Sequence, residues 1–327
     1  MTEPLLRVRD LKVHFPVRVG GTFIGTYRPL KAVDGVNFEL APGETLGIVG
    51  ESGCGKSTLG RAVLQLLPST EGTIAWIGRD LAASDKSALK AARENMQIVF
   101  QDPLASLDPR MTAGDIIAEP VRNFHPELTR AEIGARVEAM MEQVGLLPAM
   151  VNRYPHEFSG GQCQRIGIAR AMILRPKLVV CDEPVSALDV SIRAQVINLL
   201  MDLQAKLNLS MLFISHDLSV VRHISHRVMV LYLGRVMEVG PRSAIYAEPR
   251  HPYTQALMSA VPIPDPDKER AKKRLILQDD PPSPLDPPSG CVFRTRCLRA
   301  TDLCAQKPPT LDVATTGHEV ACHHWRT

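Results

Sequence analysis

One stretch near residue 50 constrains the fold more than any other part of this 327-residue chain. The letters GESGCGKS, residues 50–57, place four residues between two glycines and follow the second glycine with Lys and Ser. The apolar run TLGIV precedes the stretch, and the amphipathic segment TLGRAVLQLL follows it. A strand, a glycine-rich turn and a helix in this order form a loop that binds phosphate through backbone N–H groups and the helix N-terminus. The stretch therefore predicts an α/β fold with a nucleotide-phosphate site.

The residues of this P-loop have separate predicted tasks at a bound triphosphate. Lys56 neutralises the β- and γ-phosphates, and Ser57 ligates Mg²⁺ through its hydroxyl. The glycines let backbone N–H groups curl around phosphate oxygens, and the following helix directs its positive end to the same anion. The other residues expected at the phosphates are Gly50, Glu51, Ser52, Gly53, Cys54, Gly55 and Thr58. The alternative is a glycine-rich loop without a phosphate-binding role. The strand directly before this loop and the helix directly after it argue against that alternative.

A second stretch, KLVVCDEP at residues 177–184, supplies the acidic groups. Its apolar residues predict a strand buried on both faces of a parallel sheet. Asp182 then falls at the carboxyl edge of the strand, where α/β sheets bind ligands, and is expected to hold Mg²⁺. Glu183 is placed to take a proton from an attacking water. Together the two stretches predict binding and cleavage of a nucleoside triphosphate.

The letters FSGGQ, starting at residue 158, predict another anion-binding helix start. Ser159 and Gln162 match the S-x-x-Q capping box, so a well-capped helix beginning at Gln162 is the plain interpretation. Gly160 and Gly161 leave backbone N–H groups open at its N-terminus, which makes a second anion site. One site serves the triphosphate on this chain, and the other is available to a nucleotide brought by a second copy.

Strands and helices alternate through the middle of the chain, which predicts a doubly wound α/β fold. MLFISHD, residues 211–217, reads as another buried strand. RVMVLYLGRVMEVG, residues 227–240, predicts a hairpin turned at Gly234, and VGGTFIGTYRPL, residues 19–30, predicts a loop or hairpin insertion.

The texture of the sequence changes near residue 262. Beyond it the chain is polar and charged, and PPSPLDPPSG has five prolines in ten residues, which is typical of a semi-rigid extended spacer. The sequence therefore predicts a domain over residues 1–262 and a C-terminal extension over residues 263–327.

Charge and composition exclude several classes of protein. The net charge of +3, from 38 basic and 35 acidic residues, gives no support for nucleic acid as the main partner. No apolar run reaches the length of about 18 residues needed to span a membrane. The N-terminus carries Glu3 and further charges early, so it does not predict a secretory signal. A reducing cytosol follows as the expected setting, where stable disulfides are uncommon.

With these motifs in this order, the chain resembles the ATP-binding-cassette (ABC) ATPases over roughly residues 5–260. FSGGQ is similar to their signature motif, with Phe158 where leucine is commoner. The resemblance implies a P-loop NTPase fold with a RecA-like parallel-sheet core, an antiparallel β subdomain and an α-helical subdomain at about residues 103–161. It also implies a head-to-tail pair of cassettes, with ATP between one P-loop and the partner's signature. The signature residues are Ser159, Gly160, Gly161 and Gln162.

Other residues take roles by their position in the family pattern. Gln101 in VFQDP is similar to the Q-loop glutamine, which contacts Mg²⁺ and water and reports to the membrane partner. SALD, residues 186–189, resembles the D-loop. His216 in ISHDL resembles the switch histidine that contacts the γ-phosphate. Phe15 is expected to stack on adenine, with Tyr27 as the rival aromatic.

The extension narrows the resemblance to one subfamily. HPYTQALMSAVP from His251, the proline spacer and PPSGCVFRTRC resemble the ATP-binding subunits of dipeptide and oligopeptide importers, closest to the F-type subunit. The resemblance implies a homologous D-type ATPase, two membrane permeases and an extracytoplasmic binding protein as partners, at the cytoplasmic face of a bacterial inner membrane. Nickel or glutathione import, and soluble non-transport cassettes, are the alternatives.

The cysteines divide into two groups. Cys54, Cys163 and Cys181 are most simply small packing residues. Four thiols near the C-terminus suit tetrahedral zinc or an iron–sulfur cluster, and a disulfide or idle thiols are further alternatives. Histidines could compete as zinc ligands, and the spacing of the thiols does not choose between the metals. These residues are Cys291, Cys297, Cys304 and Cys322 for the thiols, and His318, His323 and His324 for the histidines. The peptide-importer resemblance implies a 4Fe–4S cluster on the four cysteines.

Overall fold

The computed structural model of the chain describes residues 3–20, 25–262, 265–272, 274–277 and 279–326. The strands are β1 (Leu6–Val19), β2 (Thr26–Leu40), β3 (Thr45–Val49), β4 (Glu71–Trp76), β5 (Arg79–Asp80), β6 (Met96–Val99), β7 (Leu178–Asp182), β8 (Ser210–Ile214), β9 (Arg227–Tyr232), β10 (Arg235–Pro241), β11 (Asp312–Thr315) and β12 (His318–Val320). The helices are α1 (Lys56–Val63), α2 (Lys86–Asn95), α3 (Ala113–Phe124), α4 (Arg130–Gln143), α5 (Gly160–Met172), α6 (Val190–Leu207), α7 (Leu218–Ile224), α8 (Arg242–Ala247), α9 (Pro252–Ala260), α10 (Pro266–Ala271) and α11 (Asp302–Gln306). Short 3₁₀ turns lie at Pro148–Met150, Pro155–Glu157 and Arg294–Arg296.

The described chain forms two compact units. The helical unit consists of Ala41–Thr45 and Ala83–Ile214. The P-loop unit consists of Glu3–Leu40, Leu46–Ala82 and the chain from Ser215 onward. The predicted domain boundary near residue 262 divides the sequence in a different way from these two units, and it stays a prediction. Residue 263 lies outside the described residues.

Parallel strands form the core of the helical unit. β6 pairs with β7 and β7 pairs with β8, all in parallel, and every residue of β7 and β8 is buried. Strands buried on both faces read as continuous apolar runs, which confirms the prediction for KLVVCDEP and MLFISHD. Pairing in this direction brings the carboxyl ends of the strands to one edge of the sheet, where Asp182 ends β7.

Helices α3, α4 and α5 pack against one another in the same unit. Thr129 caps α4, with Glu132 completing a capping box, and the helix buries one apolar face. α5 begins at Gly160, two residues before the predicted start at Gln162. The reason is local: Ser159 is the N-cap, so the two glycines already form the first turn instead of preceding it.

Antiparallel strands dominate the P-loop unit. β2, β1, β4 and β5 form one sheet in that order. β1 and β2 pair as far as Val19 opposite Thr26, which confirms a hairpin at the predicted insertion, although residues 21–24 lie outside the described part of the chain. Residues 46–49 of β3 pair in parallel with β9, and β9 turns into β10 at Gly234, as predicted.

The C-terminal extension adds strands to this unit. β12 pairs with β10, with Val320 opposite Glu238, and β11 pairs with β12. The Glu238 carboxylate is fully buried and accepts hydrogen bonds from the N–H groups of Arg250 and His251 at 2.7 and 2.9 Å. His318 Nε2 lies 2.7 Å from the same carboxylate, so a buried polar network fastens β12 to β10.

Acidification is expected to destabilise the P-loop unit through His251, which caps α9 by accepting the N–H of Tyr253 at 3.0 Å. Burial lowers the pKa of His251 to about 4, and the nearby Glu238 charge offsets that effect only in part. Between pH 6.5 and pH 4, His251 is therefore protonated in the unfolded chain and neutral in the folded chain. The contribution of neutral His251 to the free energy of unfolding is therefore present in full above pH 6.5 and decreases as the pH falls toward 4. The loss from pH 7 to pH 5 is about 2 kcal/mol.

Urea unfolding followed by tryptophan fluorescence measures this loss, because Trp76 and Trp325 both lie in the P-loop unit. His251→Asn keeps a capping side chain but cannot titrate, so it should remove most of the difference between pH 7 and pH 5. The control is His223→Asn at an exposed position, which should leave the difference unchanged. An equal loss in wild type and His251→Asn would contradict the assignment.

Candidate functional site

The predicted phosphate loop lies between β3 and α1, as the sequence requires. Gly50 and Gly55 have φ angles of 152° and 101°, and a Cβ at either would approach a backbone oxygen within 2.2 and 2.0 Å. Side chains are therefore excluded where the loop passes closest to its neighbours. Gly55 is also the N-cap of α1 and has no side chain to occupy the first N–H groups of the helix. The helix start thus presents N–H groups for an anion.

Lys56 is held inside this loop. Only 5% of the residue is exposed, and Nζ donates to the carbonyl oxygens of Gly50 and Glu51 at 2.8 and 2.9 Å. A buried ammonium needs such acceptors, because an unpaired charge in the interior is costly. The loop therefore fixes its cation among its own carbonyls.

Glu51 contacts two residues outside the loop. Its N–H donates to the Tyr253 hydroxyl at 2.9 Å, and its carboxylate accepts from Arg296 Nη1 at 2.8 Å. Burial alone would lower the pKa of Arg296, but its hydrogen bonds to Glu51 and Tyr232 and the charges of those two groups together outweigh burial and raise the pKa. Sequence reasoning missed Tyr253 and Arg296. Their only signal was that both stand in stretches, HPYTQ and VFRTRC, that resemble the importer subfamily.

The helical unit holds the acidic pair. Asp182 is 1% exposed at the end of β7. Glu183 follows with a φ of 47°, a left-handed conformation that is unusual for a residue other than glycine and concentrates at functional sites. Gln101 Nε2 donates to Glu183 Oε2 at 3.2 Å. Two residues predicted separately, the water contact and the proton acceptor, are thus in direct contact.

The FSGGQ stretch forms the predicted capping box at the start of α5. Gln162 N–H donates to Ser159 Oγ at 3.3 Å, and Ser159 N–H donates to Gln162 Oε1 at 2.9 Å. Ser159 and Gly160 are exposed, whereas Phe158 is buried. A Cβ on Gly161 would lie 2.4 Å from Ile192, so this glycine lets α5 approach α6 closely. At the start of α5, the N-cap Ser159 and the first helical residue Gly160 are exposed, whereas Gly161 and Cys163 are buried.

The remaining predicted nucleotide contacts are exposed. His216 is exposed and directly follows Ser215, the first residue of the last segment of the P-loop unit. The next residue, Asp217, is the N-cap of α7. Phe15 on β1 is 36% exposed and Tyr27 on β2 is 71% exposed. Both rings are accessible to adenine, and the choice of Phe15 stays a prediction.

The upstream cysteines occupy packing positions. Cys54, Cys163 and Cys181 are at most 4% exposed. Burial raises the pKa of Cys181 to about 12, and it raises the pKa of Cys54 against the opposing charge of Lys56. Thiols that stay protonated in an apolar setting are chemically inert.

The four cysteines of the extension lie close together in the P-loop unit. Cys291 N–H donates to the Cys304 carbonyl at 2.7 Å. The pKa of Cys291 is raised to about 11, mainly by burial and in part by the charges of the other three thiols. Cys297 and Cys322 also have raised pKa values, from burial and from neighbouring thiols. All four are free thiols, with no disulfide among the described residues.

The residues that could complete a zinc site have other partners. His318 contacts Glu238, His323 Nε2 donates to the Lys307 carbonyl at 2.9 Å, and His324 Nε2 lies 3.0 Å from Thr301 Oγ1. Over the part of the chain that the structure describes, no group of three or more His, Cys, Asp or Glu side chains is arranged to hold a metal ion. The same part contains no helix long and apolar enough to cross a bilayer.

Comparison with known proteins places these features in context. The profile of the ABC transporter family matches residues 33–186, and that of the oligopeptide/dipeptide transporter C-terminal region matches residues 237–304. The chain is 59% identical to the oligopeptide transport ATP-binding protein OppF of Salmonella typhimurium, over 97% of this chain and 95% of that protein. It is 53% identical to the oligopeptide transport ATP-binding protein AppF of Bacillus subtilis, over 98% and 97% of the two chains.

Solved structures support the fold. The ATP-binding cassette MJ0796, in a dimeric post-hydrolysis state bound to ADP and Pi, is 26% identical with a TM-score of 0.64 over 72% of this chain and 98% of that one. CbiO1 of Clostridium perfringens, part of the ABC transporter complex CbiONQ, is 27% identical with a TM-score of 0.64 over 76% and 92%. The predicted α/β cassette fold is confirmed.

Proposed function

The chain belongs to the ABC transporter family of ATPases with the oligopeptide/dipeptide transporter C-terminal region, and from this premise we propose that it energises import of dipeptides or oligopeptides across the bacterial cytoplasmic membrane. The observation that carries the proposal is the 59% identity to an oligopeptide transport ATP-binding protein over 97% of the chain, extension included. Similarity over the cassette alone would support ATP hydrolysis and leave the cargo open.

ATP hydrolysis on this chain divides into binding and proton transfer. Lys56 and the P-loop N–H groups bind the phosphates. Ser57, Gln101 and Asp182 would hold Mg²⁺, since hydroxyl, amide and carboxylate oxygens are the donors that Mg²⁺ prefers. When bound, Mg²⁺ neutralises charge that develops on the phosphates. Glu183 takes the proton of the attacking water, Gln101 positions Glu183 through the 3.2 Å hydrogen bond, and ADP and inorganic phosphate leave.

The proposed assembly contains several other proteins. A homologous D-type ATPase pairs head-to-tail with this chain, so that the signature residues from Ser159 to Gln162 contact the nucleotide on the partner's P-loop. His216 contacts the γ-phosphate. The helical segment at about residues 103–161 receives a coupling helix from one of two permeases. An extracytoplasmic binding protein chooses the peptide. The exposed Ser159 and Gly160 at the start of α5 support a partner at the signature. The chain then lies peripherally at the cytoplasmic face of the inner membrane.

Affinity capture of the tagged chain from its own membranes tests the assembly. Two permeases and a second ATPase are expected, without nucleic acid. Proteoliposomes of the captured complex should then take up a labelled tripeptide when ATP is present, and excess nickel or glutathione should not compete. Competition by either, or capture of nucleic acid alone, would favour one of the alternative functions.

The extension cysteines are proposed to hold a 4Fe–4S cluster, with zinc as the alternative. Support comes from four free thiols within electrostatic reach of one another and from the three histidines that have other partners. A 4Fe–4S cluster would take the four thiolates as ligands, and zinc would take thiolates with or without histidine. Among the described residues, no group of three or more His, Cys, Asp or Glu side chains is arranged to hold a metal ion.

Anaerobic purification of the full chain is expected to give brown protein with about four iron and four sulfide per chain. Cys304→Ser should lose the colour and the iron. Cys163→Ser is the matched control, because its buried thiol donates to the Pro155 carbonyl at 3.4 Å and a hydroxyl can replace it. Colourless wild-type protein with stoichiometric zinc would overturn the cluster.

A further inference from the structure

Arg296 joins the cysteine-containing segment to the phosphate loop. It stands directly before Cys297, at the end of the 3₁₀ turn Arg294–Arg296. Its side chain is only 6% exposed, and Nη1 donates to Glu51 Oε2 at 2.8 Å. Its guanidinium carbon lies 5.9 Å from the centre of the Tyr232 ring, within cation–π range. A buried arginine paired with one carboxylate and one aromatic face has a fixed position.

Aromatic packing holds the backbone that carries Arg296. Phe293 is 1% exposed and meets the Tyr232 ring edge-on at a centroid distance of 5.3 Å. It also lies 5.3 Å from the ring of Tyr253, whose hydroxyl accepts the N–H of Glu51. The extension therefore reaches the P-loop twice, through Arg296 at the Glu51 carboxylate and through the ring cluster at its backbone.

Glu51 is the junction of these contacts. Its N–H is bonded to Tyr253, its carbonyl to Lys56 and its carboxylate to Arg296. A carboxylate one residue into a loop that binds a polyanion opposes binding by like-charge repulsion, which is strong where water is excluded. The positive charge of Arg296 cancels this repulsion and directs the carboxylate into the extension.

We propose that Arg296 is a positioning residue of the ATP site, which neutralises and holds Glu51 so that the cysteine-containing segment contributes to ATP affinity. The inference rests on the proposed function, since it presupposes ATP at the P-loop. It assigns to the extension a task in nucleotide binding that does not depend on which metal the cysteines hold.

Titration of the full chain with a fluorescent ATP analogue tests the proposal. Arg296→Gln should weaken binding about tenfold, because one uncompensated charge remains beside the phosphates. Arg294→Gln is the matched control: it lies on the same turn but donates to the Ser289 carbonyl at 2.9 Å, and it should bind like wild type. The double variant Glu51→Gln with Arg296→Gln removes the repulsion together with its compensation and should recover to within about threefold of wild type.

The rescue separates electrostatic positioning from a purely structural role, since a damaged fold would not recover when a second contact residue is changed. Wild-type affinity in Arg296→Gln, or no recovery in the double variant, would overturn the proposal. If Arg296→Gln shows no cooperative melting, the double variant is compared with Glu51→Gln alone. Equal ATP affinity of the double variant and Glu51→Gln supports the proposal, and a much lower ATP affinity of the double variant overturns it. If the wild-type chain binds no ATP, the result contradicts the proposed function as well as this inference.

Discussion

Replacing Glu183 by Gln is expected to lower ATP turnover about 10²–10⁴-fold, which is the usual contribution of a general base, while ATP binding survives. Gln has the same shape and can still contact Gln101, but its amide cannot accept the proton of the attacking water. The carboxylate of Glu183 accepts a 3.2 Å hydrogen bond from Gln101, and the amide oxygen of Gln can accept the same bond. Loss of basicity, and not loss of position, should therefore dominate.

Steady-state ATPase activity of the assembled transporter gives the turnover, and equilibrium binding of an ATP analogue gives the affinity. Glu142→Gln is the control, because Glu142 is exposed on the surface of the helical unit near the end of α4. Turnover near that of wild type in Glu183→Gln would remove Glu183 from the proton-transfer step. A parallel loss of binding would instead assign Glu183 to nucleotide affinity.

The features that the sequence predicted correctly are those encoded by neighbouring residues. The Ser159–Gln162 capping box spans three residues, and the buried strand before Asp182 is one apolar run. Such patterns report the local backbone directly, because each partner lies within one turn or one strand. The strand, glycine-rich turn and helix around residues 50–57 belong to the same class, since they are contiguous in the sequence.

The features that the sequence did not predict depend on tertiary packing. Arg296 and Glu51 are 245 positions apart, and His318 and Glu238 are 80 apart. An arginine and a glutamate are common surface residues, so nothing in either local pattern distinguishes this pair from solvated charges. In the extension, β12 pairs with β10 of the P-loop unit, and no local pattern indicates this pairing. Only the long-range pairing makes the extension part of the nucleotide-binding unit.

Replacing Lys56 by Ala is expected to weaken ATP binding about 10²-fold. Lys56 contributes two charge-assisted contacts, to the β- and γ-phosphates, each worth about 1.5 kcal/mol or more, and every 1.4 kcal/mol changes the affinity tenfold. The structure adds a second reason. Nζ also bonds the carbonyls of Gly50 and Glu51, so alanine removes both the cation and the contact that shapes the loop around it.

Equilibrium binding of ATP to the full chain measures the loss, and a melting curve shows whether the fold is retained. Lys206→Ala, at an exposed position of α6, removes the same charge far along the sequence and should bind like wild type. Unchanged affinity in Lys56→Ala would refute the phosphate-loop assignment. Taken with Glu183→Gln, the variant separates two steps of one reaction. Loss of Lys56 weakens ATP binding, whereas loss of the Glu183 carboxylate leaves ATP bound and slows its cleavage. If Lys56→Ala and Glu183→Gln both lost ATP binding, or both lost only turnover, the division of binding and proton transfer between the two motifs would be wrong.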